Sequence, residues 1–197
     1  MIGPTHELLP EATNPQPGRI VFLNGASSSG KSTVAEELLR TLDGAWYHLA
    51  VDHYHRARSR HDWSEEEFLP IFQRTVRGFH RVVAGMASAG NDVVVDHILG
   101  ERWRVVDCLE TFAGLPVYLV GVHCALPELE RREQARGNRT IGRAALQFPI
   151  VHQDLRYDVE VHTDQQTAQD SAAQIAARLS KPPTAFEQLR AAGPSRS

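Results

Sequence analysis

The stretch Gly25-Ala26-Ser27-Ser28-Ser29-Gly30-Lys31-Ser32 limits what this chain can fold into more than any other part of it. It fits the pattern G-x-x-x-x-G-K-[ST], and its neighbours are the ones that pattern needs. The apolar run RIVFLN precedes it, and TVAEELLRTL, apolar at helical spacing, follows. The two glycines let the backbone curl until successive N–H groups point inward, at the positive end of a helix dipole. Lys31 then reaches the β- and γ-phosphates of a nucleoside triphosphate, and the Ser32 hydroxyl suits a Mg²⁺ ligand. The expected phosphate-binding set is Gly25, Ala26, Ser27, Ser28, Ser29, Gly30, Lys31, Ser32 and Thr33, with ATP and Mg²⁺ as cofactors.

A strand, a loop and a helix in this order belong to an α/β sheet, and the remaining sequence alternates accordingly. Strands are expected at 19–24, 46–51, 91–98, 116–124 and 157–163. A long helix is expected over 64–89, and others in ERWRVVDCLETF, LPELERREQARGNRT and TAQDSAAQIAARL. Short apolar strands point to a parallel sheet covered on both faces. The expectation is one three-layer α/β domain over residues 19–180, a P-loop kinase-like fold whose five-stranded parallel sheet is flanked by helices. Residues 1–18 read as a flexible lead-in, and 181–197, with Pro182, Pro183 and Pro194, as a fraying tail.

Composition narrows the partners. A net charge of −3 gives no general attraction for nucleic acid. No uninterrupted apolar segment approaches the ~20 residues that span a bilayer. The N-terminus lacks the basic region and apolar core of a signal peptide. Cys108 and Cys124 sit in apolar contexts without metal-ligand spacing, as free buried thiols in a reducing cytoplasm would. The histidines His48, His53, His55 and His61 lack the fixed spacing and carboxylate support of a zinc site. The expected partner is a small hydroxylated molecule. The sequence does not set an oligomeric state.

What is done with the triphosphate follows from the rest of the chain. The guanine-reading N-K-x-D sequence is absent, and a domain of this size with a basic lid suits a small-molecule kinase. The lid is RREQARGNRT, near 131–142. Arg136 and Arg139 flank its hinge glycine, Gly137, and are expected to close over the transferring phosphoryl group, Arg136 also touching the nucleotide. Arg131 reads as a solvated helix end. Ligands of open parallel sheets gather beyond the carboxyl ends of the strands. Asp52 ends the second strand and is expected to be the general base for the acceptor hydroxyl. Asp96 ends the third and is expected to help Ser32 hold the metal. His97 either orients the acceptor or is a buried structural histidine. His53, Arg56 and Trp63, in or beside the basic stretch HYHRARSRHDW, are the expected acceptor contacts. Trp46 and Trp103 read as core.

Taken together, FLNGASSSGKS, AVDHY, VVVDHILGERWR, ARGNR and VHQDLRYDVEVHT resemble the chloramphenicol phosphotransferase family, in order and spacing, over roughly residues 19 to 180. The resemblance implies ATP-dependent transfer of the γ-phosphate to an antibiotic hydroxyl, on a fold similar to shikimate and nucleotide kinases. It also implies that Asp52 is the base, Lys31 the phosphate lysine, and Arg136 and Arg139 the lid arginines. Two departures stand out. The family's largely apolar segment after the base is shorter here and rich in His and Arg, and His97 stands where the family has a second acidic residue. A more polar or anionic acceptor, such as a nucleoside or sugar-acid antibiotic, would pair with Arg56, Arg58 and Arg60 better than chloramphenicol does. The alternatives are a metabolic kinase for a sugar, nucleoside or shikimate-like alcohol, and a nucleotide-dependent regulatory module.

Overall fold

The computed structural model describes residues 16–59, 61–136 and 141–193. Strand β1 (Ile20–Asn24) is buried along its whole length and forms the centre of a five-stranded parallel sheet. The sheet runs β2-β3-β1-β4-β5, with β2 (Trp46–Ala50), β3 (Asp92–His97), β4 (Val117–His123) and β5 (Val159–His162). Alternate residues of β1 serve opposite faces, as the pleat requires. Val21 and Leu23 pack with Val34 and Leu38 of α1 (Lys31–Thr41) and with Ile175 of α7 (Ala168–Arg178). Ile20 and Phe22 pack with Phe79 of α3 (Glu65–Ser88), Phe112 just beyond α4 (Arg102–Thr111), and Phe186 of α8 (Ala185–Ala192). Both faces are therefore covered, which is why the strands read as continuous apolar runs rather than alternating ones. The α/β sheet flanked by helices is as the sequence led us to expect.

Three segments differ from that expectation. The basic stretch after Asp52 begins as a helix, α2 (Val51–Ala57), because Val51 and Tyr54 lie three residues apart and both pack on the core. A second short helix, α6 (Arg143–Gln147), follows α5 (Leu126–Arg136) and was not foreseen. The segment from 181 does not fray at once. Pro182 and Pro183 only turn the chain, after which α8 buries Ala185 and Phe186, the latter 6.1 Å from the Phe112 ring. The Asp158 carboxylate, wholly buried, accepts hydrogen bonds from the Thr184 and Ala185 amides and pairs with Arg178, which anchors the start of α8. Ser64 caps α3 through a reciprocal pair with Glu67, and Glu65 to Glu67 occupy its first turn. Arg60, the hinge glycine Gly137 and the lid residue Arg139 lie outside the described residues. Cys108 and Cys124 are buried and unpaired. Trp46 is buried on the sheet, whereas Trp103 is half-buried between the Arg77 and Arg104 guanidinium groups.

Candidate active site

The loop between β1 and α1 has the backbone that its sequence requires. Gly30 caps α1 at φ 88°, and Ser28 also sits in the left-handed region at φ 65°. A Cβ at Gly25 would collide with the Val122 carbonyl oxygen and with Ser29 Oγ, so strand β4 leaves room for glycine alone. Ser28 Oγ and Ser29 Oγ are buried without a hydrogen-bond partner among the described residues. The loop is fixed from outside by two contacts. Thr163 Oγ1 donates to the Ser29 carbonyl at 2.7 Å, and the Ser27 amide donates to Gln147 Oε1 at 2.7 Å. This curled loop of amides at a helix N-terminus fits a triphosphate.

Around the loop, polar side chains from separate segments converge. Parallel register sets Leu23 of β1 beside Asp96 of β3, so Asp96 faces the first turn of α1. Ser32 Oγ donates to Asp96 Oδ2 at 2.6 Å, an oxygen pair of the kind that holds a hard cation. Lys31 Nζ is buried and donates to the Gly25 and Ala26 carbonyls, each at 2.9 Å, and lies 3.8 Å from Asp96 Oδ1. A small cavity of about 40 Å³ is lined by Lys31, Ser32, Asp52, Asp96, His97 and Arg136, together with residues of the loop and Val51. Thus Asp52 from the first turn of α2, Asp96 from β3 and Arg136 from α5 meet at one point.

Two larger clefts open on either side. One, of about 500 Å³, runs from Ser28, Gly30 and exposed Thr33 past Arg132 and Arg136 to Thr163, Gln166 and Thr167 ahead of α7. Arg132 is locked in place there, donating to Thr163 Oγ1 and O and to Glu128. Arg131 pairs with Glu128 at the surface, in line with a solvated helix end. The other cleft, about 470 Å³, is lined by Asp52, His55 and Arg58, by Phe68 and Phe72 of α3, by Arg104 of α4, and by Arg143, Leu146 and Gln147 on α6. Asp52 borders this cleft and the small cavity alike.

The expected acceptor contacts His53 and Arg56 are exposed and do not line this cleft; neither does Trp63, which is 39% exposed with its ring against His61. The reason is helical. Asp52 and His55, three residues apart, share the inward face of α2, which leaves His53 and Arg56 on the other. In their place stand Arg58, Arg104, Arg143, Phe72 and Gln147, none foreseen at the site except Arg58, and no single motif gathers them. His97 is 1% exposed, with the rings of Phe22, Phe79 and His80 around it, and burial holds its imidazole well below the ordinary pKa. It packs as a core side chain, yet lines both the small cavity and the acceptor-side cleft.

The loop is also supported from beneath. Asn24, its last strand residue, donates to the Val151 carbonyl and to Tyr157 Oη, both at 2.7 Å, and accepts from the Leu99 amide. Tyr157 Oη lies 2.7 Å from His152 Nδ1. Having accepted from Asn24, it donates to a neutral His152. Burial first, then the His123 ring stacked 3.9 Å away and Lys31, push the His152 pKa down to about 4. No cluster fit to hold a metal through His, Cys, Asp or Glu occurs among the described residues.

Known proteins share this chain's family and fold. The family described as chloramphenicol phosphotransferase-like protein matches residues 18–180. A proposed O-phosphotransferase of Mycobacterium tuberculosis is 27% identical over 221 residues, covering 96% of this chain and 98% of the relative. Among solved structures, the Mycobacterium tuberculosis APS kinase CysC in complex with AMPPNP and APS superposes with a TM-score of 0.67 at 21% identity, over 85% of this chain and 100% of that one. A gluconokinase from Sinorhizobium meliloti 1021 gives 0.57 at 19% identity, over 91% and 99%. A Deinococcus radiodurans tunicamycin resistance protein gives 0.63 at 15% identity, over 85% and 99%. These structures share the fold.

Proposed function

The chain belongs to the chloramphenicol phosphotransferase-like family and is an ATP-dependent small-molecule phosphotransferase; from that premise we propose that it phosphorylates a hydroxyl of a polar antibiotic and confers resistance to it. The observation that carries this reading is the meeting of Lys31, Ser32, Asp52, Asp96 and Arg136 in one cavity, with Asp52 also bordering the acceptor-side cleft. ATP, when bound, supplies the γ-phosphoryl group, and Ser32 and Asp96 would hold a Mg²⁺ that offsets its charge. Asp52 takes the proton from the acceptor hydroxyl as the oxygen–phosphorus bond forms and ADP departs. Lys31 and Arg136 stabilise charge on the equatorial oxygens, and Arg139 is assigned the same task from the lid. The cleft past Thr33 and Thr163 suits the rest of the nucleotide. A carboxylate at the border of both cavities favours an enzyme over a regulatory module, which needs no base there.

Among the described residues no helix is long and apolar enough to cross a membrane. Two buried unpaired thiols support a cytoplasmic setting. The arginines of the acceptor-side cleft favour a metabolic kinase as the second reading, since many metabolites are charged. Incubating the protein with ATP, Mg²⁺ and panels of hydroxylated antibiotics and metabolites, with ADP release and product mass as readouts, tests the proposal. A product one phosphate heavier is expected. Resistance gained by a sensitive host expressing the protein separates the antibiotic reading from the metabolic one. ADP release that no hydroxyl compound stimulates would overturn both.

A further inference from the structure

We infer that the acceptor-side cleft is an anion-recognition subsite, so that the molecule phosphorylated at Asp52 already carries a phosphate, sulfate or carboxylate, which Arg58, Arg104 and Arg143 hold. This rests on the reading above and sharpens it to a substrate class.

The charge balance of the cleft carries the argument. Three guanidinium groups line it, against Asp52 as the one carboxylate among the described lining residues. Among the described residues, Arg58 and Arg143 have no carboxylate partner. Arg104 has one, Glu101, and donates also to the Ile98 carbonyl. Arg58 Nη1 and Arg104 Nε are buried without any hydrogen-bond acceptor among the described residues. Leaving such donors unmet disfavours the cleft as it stands, and a bound oxyanion would meet them with charge-assisted bonds. Burial lowers the Arg104 pKa from its ordinary value despite Glu101, which marks the same desolvation.

The forks are held ready by aromatic rings. Arg58 lies over Phe68 at 4.9 Å and Arg104 over Phe72 at 5.1 Å; Phe72 also meets the Phe68 ring at 6.0 Å and the His55 ring, stacked 5.0 Å away and nearly parallel. Cation–π contact fixes a guanidinium plane without using its N–H donors, so the donors remain for a ligand. The same phenylalanines give the cleft an apolar wall. About 470 Å³ of such space suits a ring bearing one charged substituent. A neutral acceptor would fill the apolar part and leave the guanidinium groups unpaired, which selects against it.

Calorimetric titration of protein saturated with AMPPNP and Mg²⁺, which keeps the phosphate loop filled, tests the subsite directly. The probes are phenyl phosphate and its neutral counterpart benzyl alcohol. Phenyl phosphate should bind at least tenfold more tightly than benzyl alcohol. Arg58→Ala and Arg143→Ala should each weaken phenyl phosphate about tenfold while leaving AMPPNP affinity unchanged. Arg58→Lys, which keeps the charge but loses the planar fork, should fall between. Equal affinity for the two probes, indifference of phenyl phosphate to both alanine variants, or competition between phenyl phosphate and AMPPNP would overturn the inference. Because the readout is binding, it stands apart from turnover. If the anion binds as described but no hydroxyl is ever phosphorylated, the subsite stands and the proposed function falls.

Discussion

The nucleotide side and the acceptor side of this molecule are built from different materials. On the nucleotide side the work is done by backbone: a left-handed Gly30, a Gly25 pressed against β4, and amides curled at the start of α1. The acceptor side is made of side chains reaching in from α2, α3, α4 and α6, with no backbone feature in common. A backbone site tolerates few sequences, so it is the same wherever the reaction is the same. A side-chain site can be re-lined one residue at a time while the helices stay put, which is how one phosphate-transfer scaffold serves acceptors of different chemistry. The two meet at Asp52 and at Gln147, the latter lining the acceptor cleft while accepting from the Ser27 amide of the loop.

That contrast can be broken most sharply at Asp52. Asp52→Asn keeps the side chain's size but removes the proposed base, so kcat should fall by roughly 10²–10⁴-fold while the KM values for ATP and acceptor stay near those of the parent. Steady-state kinetics on the acceptor found by screening will tell, and an ordinary kcat would mean that the hydroxyl needs no base at this position.

Lys31→Ala should come next, costing about 10²-fold in kcat, with ATP still held by the loop amides. If ATP affinity collapsed along with turnover, the view that backbone does most of the holding would be wrong.

Acid should weaken the support beneath the phosphate loop, where Tyr157 donates to His152. The folded pKa of His152, about 4, lies below the 6.5 of an ordinary histidine, so the unfolded chain binds more protons between those values. Stability should therefore fall as pH drops from about 6.5 to 4 and level off below, by no more than about 2 kcal/mol from this partly exposed ring once solvent screening is allowed for. Denaturant melts at pH 7 and pH 4.5 measure it. His152→Gln, which cannot be protonated, should reduce the difference; a variant with the parent's full pH dependence would remove His152 from the account.

The smallest effect belongs to the bridge. Gln147→Ala removes one hydrogen bond to the loop and one wall of the acceptor cleft, so both KM values should rise about fivefold. A change in only one of them would show that the two sides are independent at this point.

The same division explains what could be read from the sequence. Lys31 and Ser32 were legible because the loop that positions them is contiguous, and Asp52 and Asp96 because each follows an apolar run, although Asp52 lies in the first turn of α2 rather than at the end of β2. Arg104, Arg143 and Phe72 were not, because three helices bring them together across 72 residues of chain. Helix α2 was hidden by its own charge, since only Val51 and Tyr54 mark its packed face. In α8, a proline pair drew attention away from Phe186, beyond which the helix runs on to Ala192. Arg58 alone among the acceptor-side arginines was in view, and there the expected neighbour Arg56 turned out to point the other way.

The late position of α8 has a consequence for how the molecule comes off the ribosome. Strand β1, made first, sits at the centre of the sheet, but the apolar face beneath Phe112 is not closed until Phe186 has left the exit tunnel. Until then the nascent chain holds all five sheet strands and their four pairings, yet shows an open greasy seam and an Asp158 carboxylate whose two amide donors at residues 184 and 185 have not arrived. Such an intermediate is a natural client for chaperones and an easy target for proteases. A chain halted shortly after the β5–α7 unit would carry a complete phosphate loop and still be disposed of as unfinished.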